Sequence, residues 1–309
     1  MRKLPLLAAA LLTAVLAHAQ GPIPVHPPQR PIPAVEHVVI ISVDGLRPDR
    51  ALLANMPALR GMLRDGAYTF WAKTTAMAIT LPSHVSMLTG VIPQKHGILW
   101  NEELPLAKPY YPKVPTVMEM AAKVGYETAM IAGKAKMQAL NKPGTITYVF
   151  VAAEAKDGNE PIVTEAVRIL TAHQPALTFI HLADVDTVGH AKGWGSREQF
   201  AAIERTDTQL AQIFAAIDDA QMRSSTVVLL TADHGGAGLS HVPDDPRSRH
   251  IPWIIVGPGV RKNFDLTQIA ALEVRTEDTC ATACWLLGLP QMPYFDGKPV
   301  REAFFAAGP

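Results

Sequence analysis

Runs of apolar residues alternate with amphipathic segments along most of the chain, and this pattern predicts the fold class. Apolar or β-branched runs predict strands at 37–43, 68–75, 127–132, 177–182, 226–232 and 251–256. Helical spacing and end signals predict helices at 56–63, 83–88, 116–124, 162–172, 198–220 and 276–287. Strands that alternate with helices in this way are typical of a parallel sheet covered on both faces. We therefore predict an α/β fold, a three-layer α/β/α sandwich with a largely parallel central sheet.

Aspartate and histidine follow three of the predicted strands at the point where the apolar run stops. They are Asp44 after 37–43, Asp186 and His190 after 177–182, and Asp233 and His234 after 226–232, with His241 shortly behind. In open α/β sheets ligands bind at the carboxyl ends of the strands, so these side chains should share one edge. Carboxylates and imidazoles hold divalent metals at hydrolytic sites. A helix cap would explain any single aspartate, but it does not predict the histidines beside them.

Thr80 is the candidate nucleophile for such a site. Two divalent ions about 4 Å apart can hold the attacking and leaving oxygens of a phosphoryl transfer. A hydroxyl bound to one of them becomes a nucleophile near neutral pH. Thr80 lies just before the helix predicted at 83–88, where free backbone N–H groups and the helix dipole favour an anion. Taken alone, Thr80 would pass as an ordinary helix N-cap, and only the metal ligands favour the catalytic interpretation.

The first residues of the chain predict export. Arg2 and Lys3 precede an apolar run at 4–16, and Ala17-His18-Ala19 places small residues at a cleavage site. The predicted parts are a signal peptide at 1–19, a proline-rich tether at 20–34 and one catalytic domain at 35–309. A membrane anchor is the alternative, although the apolar run is short for a bilayer span, and no later segment is apolar for long enough. We expect a periplasmic or secreted protein.

Composition and charge narrow the class of partner. The 309 residues, 48% of them hydrophobic, suffice for one large α/β domain or two small ones, and one is favoured because no long linker divides the chain after the tether. A formal net charge of zero, with histidine neutral, gives no reason to expect nucleic-acid or membrane-surface binding.

Cys280 and Cys284 lie on one face of a predicted helix, where two buried thiols are favoured over a strained disulfide. Oligomeric state is left open.

Five motif-like segments occur in a fixed order along most of the chain. They are 43–48 (VDGLRP), 80–90 (TLPSHVSMLTG), 93–98 (PQKHGI), 186–190 (DTVGH) and 231–236 (TADHGG), with 296–299 (DGKP) near the end. This set resembles the alkaline phosphatase superfamily, and within it the nucleotide pyrophosphatase/phosphodiesterase branch. The resemblance implies an alkaline phosphatase-like fold and a hydrolase of small-molecule phosphate esters that acts through a phosphothreonine intermediate.

The same resemblance implies a role for each candidate residue. One metal would be held by Asp44, Thr80, Asp233 and His234, and the other by Asp186, His190 and a third histidine. Asn101, which follows the His-Gly-Ile motif, would bind a phosphate oxygen. The two divalent ions are expected to be zinc, with manganese as the alternative.

Two assignments in the second metal set are ambiguous from the sequence. His241 is favoured over His250, because compact members of the family place the third histidine before a strand like that at 251–256. In an extended segment Asp184 and Asp186 would point to the same side. The resemblance selects Asp186 as the ligand and leaves Asp184 as a partner of a ligating histidine.

Departures from the family bear on the substrate. Nucleotide-cleaving members commonly carry Phe after the nucleophile, where it stacks on a base, and this chain has Leu81. Base stacking contributes about 1–3 kcal/mol, so its loss weakens the case for nucleotides. The aromatic residues available for another substrate wall are Trp100, Tyr110, Tyr111 and Trp194.

Three functions remain open from the sequence. A phosphoesterase of the phosphodiesterase or nucleotide pyrophosphatase type is favoured, with a phosphomonoesterase as its variant. A sulfatase-like hydrolase on the same fold is disfavoured, because sulfatases convert Cys or Ser to formylglycine and Thr80 cannot be converted in that way. A non-catalytic metal-binding or phosphate-binding protein is the third, and the presence of Thr80, Asn101 and both ligand sets argues against it.

Overall fold

The computed structural model describes residues 29–102, 110–152, 158–243 and 245–305. The predicted signal peptide at 1–19 and most of the predicted tether lie outside the described residues. The last residues of that tether contact the domain, since Ile32 packs against the hydrophobic core and Arg30 donates to the Val35 carbonyl at 3.0 Å. In the part of the chain that the structure describes, no helix is long and apolar enough to cross a bilayer.

Strands and helices alternate through the described residues as the hydrophobic pattern predicts. The strands are β1 (His37–Val43), β2 (Gly66–Lys73), β3 (Thr128–Ala132), β4 (Tyr148–Val151), β5 (Leu177–Leu182), β6 (Thr226–Thr231), β7 (His250–Val256) and β8 (Phe264–Asp265). The α-helices are α1 (Pro48–Leu53), α2 (Pro57–Asp65), α3 (Thr80–Thr89), α4 (Pro93–His96), α5 (Val117–Lys123), α6 (Glu160–His173), α7 (Asp184–Lys192), α8 (Arg197–Asp219), α9 (Pro246–Arg249) and α10 (Asp278–Leu286).

The strands form one mixed sheet in the order β4-β3-β5-β1-β6-β7-β2-β8. Strand β7 runs antiparallel to its neighbours β6 and β2, and every other pair in this sheet is parallel. Helices α2, α6 and α7 pack on α8, while α3, α5 and α10 form a second group. The predicted α/β fold with a largely parallel, helix-flanked sheet is therefore confirmed.

The central strands explain why the sequence is so apolar where the candidate ligands begin. Strands β1, β5 and β6 are adjacent, and nearly every residue in them is buried. Burial on both faces of a parallel sheet favours continuous apolar runs rather than alternation. The polar residues that follow such a run therefore lie at the carboxyl ends of the most deeply buried strands.

The segment after β5 corrects one expectation. It is not extended, because Asp184–Lys192 forms helix α7. Residues two apart on a helix point in different directions, so Asp184 and Asp186 do not face the same side. Asp184 instead accepts a hydrogen bond from the Asn159 backbone N–H at 3.2 Å, and it is not a partner of a candidate histidine. On α10, Cys280 and Cys284 are buried free thiols, as expected.

Candidate metal centre

Three neighbouring strands bring their following aspartates to one edge of the sheet. Asp44 follows β1, Asp186 lies in the first turn of α7 after β5, and Asp233 follows β6. Because β1 pairs with β5 on one side and β6 on the other, the three buried carboxylates meet at the carboxyl end of the central strands. Gly45 permits this approach: its φ is +74°, and a Cβ there would lie 2.9 Å from the Asp186 Cβ.

His234 lies at the centre of a first group of side chains. Its Nε2 is 3.2 Å from Asp233 Oδ2 and 3.4 Å from Asp44 Oδ1. The same atom is 3.9 Å from Asp186 Oδ1 and 3.3 Å from the Thr80 hydroxyl. One donor atom each from Asp44, Asp186 and His234 lies within 4.8 Å of the others, a spacing compact enough to hold an ion.

Asp186, His190 and His241 form a second group with the same spacing. Their donor atoms also lie within 4.8 Å of one another. His190 Nε2 is 3.4 Å from Asp186 Oδ1, one turn further along α7. The His241 ring stacks on that of His234, with 3.9 Å between the centroids. Asp186 belongs to both groups, so the two adjoin and share this carboxylate.

Each of the three candidate histidines is oriented by a backbone carbonyl. In every case Nδ1 lies 2.8 to 2.9 Å from a carbonyl oxygen, which can only accept a hydrogen bond. The pairs are His190 with Leu239, His234 with Gly235, and His241 with Ala78. The proton is therefore on Nδ1, and the Nε2 lone pair is free to face the carboxylates. This arrangement is typical of metal-ligating histidines, whose second nitrogen is usually held by a carbonyl or carboxylate.

The carboxylates carry buried oxygens that no protein donor satisfies. Within the described residues, Asp44 Oδ1, Asp186 Oδ1 and Asp233 Oδ2 are buried and lack a hydrogen-bond partner. A buried charged oxygen without a partner is costly unless a cation is close. Burial and the nearby charge of Asp44 raise the pKa of Asp233 well above its usual value. Divalent cations would relieve both the unpaired oxygens and this repulsion, so the donor set fits a metal centre.

Burial favours the neutral imidazole at two histidines of the centre, His234 and His241. Burial lowers the pKa of His234. Burial, followed by the nearby charge of His234, lowers the pKa of His241 to about 4. A metal binds the neutral imidazole, so the protonation state that burial favours is also the state that coordinates.

Thr80 and Asn101 lie beside the first group. Thr80 begins α3 and is almost fully buried, and its hydroxyl faces His234. The Asn101 Oδ1 accepts the Leu81 backbone N–H at 2.9 Å, which holds the amide against the first turn of α3. In the described part of the chain the Asn101 Nδ2 has no acceptor. An oxyanion near Thr80 would therefore meet an amide donor and the helix N-terminus.

Lys134 is the charged residue that the sequence analysis missed. It follows β3, which neighbours β5, and its Nζ lies 2.6 Å from Asp44 Oδ2 and 2.5 Å from Asp186 Oδ2. Burial alone would lower the pKa of Lys134, but these two carboxylates outweigh it and raise the pKa above its usual value. The same effect works in reverse on Asp44: burial would raise its pKa, while the Lys134 charge and the His181 hydrogen bond hold it well below the usual range.

His181 and His84 support the centre from behind. His181 Nε2 lies 2.9 Å from Asp44 Oδ2, on β5 directly opposite Ser42 of β1. His84 Nε2 contacts the Ser42 hydroxyl at 2.8 Å, and its Nδ1 contacts the Thr80 carbonyl at 2.8 Å. His181 could not be singled out from the sequence, because its position inside a buried strand is typical of a core residue.

His250 lies apart from both groups. Its ring stacks on Trp71, with 4.4 Å between the centroids, and its Nδ1 contacts the Pro246 carbonyl.

Trp194 does not form an exposed substrate wall. It is 7% exposed, donates to the Gly45 carbonyl at 3.0 Å and packs edge-on against His190. Its indole ring buttresses the centre from inside the fold.

The fold and the centre define an alkaline phosphatase-like α/β protein. Residues 38–247 match the sequence profile of the family described as type I phosphodiesterase/nucleotide pyrophosphatase, and the chain belongs to that family. Its sequence is 24% identical over 220 residues to human ectonucleotide pyrophosphatase/phosphodiesterase family member 1, covering 64% of this chain and 23% of that protein. It is also 34% identical to zebrafish (Danio rerio) arylsulfatase K over 97 residues, which are 30% of this chain and 18% of the relative. The chain thus spans about a quarter or less of these two curated relatives.

Solved structures share the fold over most of the described chain. An inactive variant of murine ectonucleotide pyrophosphatase/phosphodiesterase 5, in complex with AMP, superimposes with a TM-score of 0.74 at 15% identity, covering 87% of this chain and all of that one. A 2-O GAG sulfatase superimposes with a TM-score of 0.69 at 15% identity, covering 87% of this chain and 74% of that one. The same architecture therefore occurs in proteins named for phosphate and for sulfate esters.

Proposed function

We propose that this protein is a metal-dependent hydrolase of phosphoric esters, of the phosphodiesterase or nucleotide pyrophosphatase type, with Thr80 as its nucleophile. One observation carries the proposal: three buried carboxylates and three oriented imidazoles converge beside a hydroxyl at the start of a helix. Family membership supports the same reaction class. The predicted leader at 1–19 supports action in the periplasm or outside the cell.

The proposed ligands divide between two ions. Asp44, Thr80, Asp233 and His234 would hold one, and Asp186, His190 and His241 the other. When bound, divalent ions lower the pKa of a ligating hydroxyl and offset negative charge on a phosphoryl group. Zinc is the expected metal, because the donors are a mixture of imidazole nitrogen and carboxylate oxygen, and manganese is the alternative.

The residues themselves perform a two-step displacement. Thr80 Oγ1 attacks phosphorus, the Thr80 Oγ1–P bond forms, and the P–O bond to the leaving group breaks. The leaving alcohol takes up the proton that Thr80 loses. Water then cleaves the Thr80 Oγ1–P bond, which releases the phosphate product and restores the hydroxyl. The Asn101 amide and the N-terminus of α3 bind the phosphoryl oxygens in both steps.

The groups around Thr80 bear on which ester is used. Leu81 points into the core and is 1% exposed, so it does not occupy the place of a base-stacking ring. Trp100 directly precedes Asn101 in the sequence. Its ring packs edge-on against that of Tyr110, with 5.0 Å between the ring centroids. Because Trp100 precedes Asn101, whose amide is held against the first turn of α3, we propose that this aromatic pair contacts the leaving group.

Hydrolysis of three p-nitrophenyl esters tests the reaction. We expect release of nitrophenol from bis-p-nitrophenyl phosphate and p-nitrophenyl phosphate, its loss on chelation, and its recovery when Zn²⁺ is added back. p-Nitrophenyl sulfate should turn over far more slowly. Turnover of the sulfate ester alone would favour the sulfatase-like alternative. Absence of chelator-sensitive turnover with all three esters would favour a non-catalytic binding protein.

The third histidine is tested by metal content. His241→Ala should bind one equivalent of metal fewer than the unmodified protein, because its imidazole completes the group that contains Asp186 and His190. His250→Ala is the matched control and should retain both equivalents, since that ring stacks on Trp71. Elemental analysis after dialysis against limiting Zn²⁺ measures both variants. Full occupancy in His241→Ala, or loss in His250→Ala, would reverse the assignment.

A further inference from the structure

Lys134 places a fixed positive charge inside the proposed metal centre. In the described part of the chain, its ion pairs are with Asp44 and Asp186, and both partners are proposed metal ligands. If those carboxylates bind divalent ions, the Lys134 ammonium group needs another anion, because a buried charge without a partner is unfavourable in free energy. The substrate is the anion that the proposed reaction brings to this position.

The charge balance of the centre points to the kind of anion. Asp44, Asp186 and Asp233 supply three negative charges, and a histidine that binds a metal does so as the neutral imidazole and adds no charge. Before Thr80 loses its proton, two divalent ions exceed those carboxylates by one positive charge, and Lys134 raises the excess to two. A simple phosphodiester brings one negative charge, so one of the two excess positive charges remains. A phosphomonoester or a pyrophosphate brings two or more.

The position of Lys134 allows it to reach such a charge. Its side chain is 17% exposed, whereas those of Asp44 and Asp233 are fully buried, so the ammonium group lies on the open side of the carboxylates. Lys136 extends the positive surface along the 3-10 segment Ala135–Leu140. Burial and the nearby Lys134 charge lower the pKa of Lys136, and within the described residues it has no ion-pair partner.

We infer that Lys134 binds a second negative charge on the substrate, beside the reacting phosphoryl group, and that the site selects dianionic phosphomonoesters and pyrophosphates over simple diesters. The inference rests on the proposed function and specifies its substrate class. Lys134 then exchanges its two carboxylate partners for the substrate anion.

Selectivity between substrates of different charge tests the inference. Lys134→Met keeps most of the length of the side chain and removes its charge. We expect kcat/KM for p-nitrophenyl phosphate to fall about 10- to 100-fold more than kcat/KM for bis-p-nitrophenyl phosphate, since only the former carries the second negative charge that Lys134 would bind. Lys136→Met should show a smaller change in the same direction. Lys123→Met is the control, because that lysine lies at the surface and pairs with Glu119.

Two further measurements do not depend on turnover. Competition with a chromophoric chelator should show that Lys134→Met binds Zn²⁺ at least as tightly as the unmodified protein, because a competing cation has been removed. Titration calorimetry should show that inorganic phosphate binds the zinc-loaded variant about 10-fold or more weakly. If the unmodified protein hydrolyses neither ester, the proposed function fails, and the phosphate titration still decides the role of Lys134.

Three outcomes would overturn the inference. An equal loss of kcat/KM for both esters would show that Lys134 acts on the reacting centre in general. Loss of Zn²⁺ from Lys134→Met would show that the lysine only holds the ligands in place. Unchanged phosphate affinity in a folded, metal-loaded Lys134→Met variant would show that the ammonium group does not contact the anion.

Discussion

Thr80→Ala should lose ester hydrolysis by about 10⁴-fold or more while the protein stays folded and retains metal. The substitution removes the only hydroxyl that faces His234 in the described residues, and the other proposed ligands remain in place. Loss of a nucleophile cannot be compensated by the surrounding donors, because binding of the ester without attack leaves the P–O bond intact. Steady-state turnover of p-nitrophenyl esters, with metal content measured on the same sample, gives both quantities.

Two variants make this result specific. Thr89→Ala removes a buried hydroxyl from the other end of α3, where it bonds the Val85 carbonyl at 2.7 Å, and it should leave turnover nearly unchanged. Thr80→Ser keeps a hydroxyl at the proposed position and should retain part of the activity. Thr80→Ala with full turnover would mean that another group attacks phosphorus, and the mechanism would then be wrong.

Asp186→Asn should have the second largest effect, because this residue belongs to both ligand groups. We expect metal affinity to fall by more than about 100-fold, since even residues that only support a ligand contribute about 10- to 100-fold. Turnover at limiting metal should fall in parallel. The amide keeps the size of the carboxylate, so a loss would reflect donor charge rather than packing. Competition with a chromophoric chelator measures the affinity directly.

Asp184→Asn is a closely matched control for this prediction. Asp184 lies on the same helix, is also buried, and bonds the Asn159 backbone N–H away from both groups. An amide oxygen can accept that bond as well, so metal affinity and turnover should change little. Equal losses in Asp184→Asn and Asp186→Asn would show that the helix, and not the Asp186 donor, determines metal binding.

The sequence predicts the central architecture well because burial on both faces leaves a clear signal. Strands β1, β5 and β6 are continuous apolar runs, and each was predicted to within one residue of its observed bounds. The polar residues that end those runs then share an edge for a topological reason, since adjacent parallel strands finish together. Candidate ligands could therefore be proposed without knowledge of any side-chain contact.

Helix α7 was missed because its sequence lacks the features that indicate a helix. It contains Val185, Thr187 and Val188, which are β-branched, and Gly189, all of which lower helix propensity. Its contacts with α8 stabilise it instead, so tertiary packing outweighs the local preference. The Asp186 and His190 side chains meet because residues four apart share a helical face.

Lys134 and His181 were missed for a different reason. Their roles depend on which strands are neighbours, and the order β3-β5-β1 is not encoded in any local pattern. A search for metal donors also passes over lysine, which is not a ligand in its charged form. The signal that could have found Lys134 is the same one that found the aspartates, a charged residue two positions after the strand predicted at 127–132.

In the part of the chain that the structure describes, the charged groups of the centre follow four consecutive inner strands, β3, β5, β1 and β6, and none follows the outer strands β4 or β8. Changes in the length or sequence of these outer strands therefore leave the charged groups of the centre in place. Such a division lets one fold carry different surroundings around the same inner strands. It gives a physical reason why related architectures can be adapted to phosphate esters in one lineage and to sulfate esters in another.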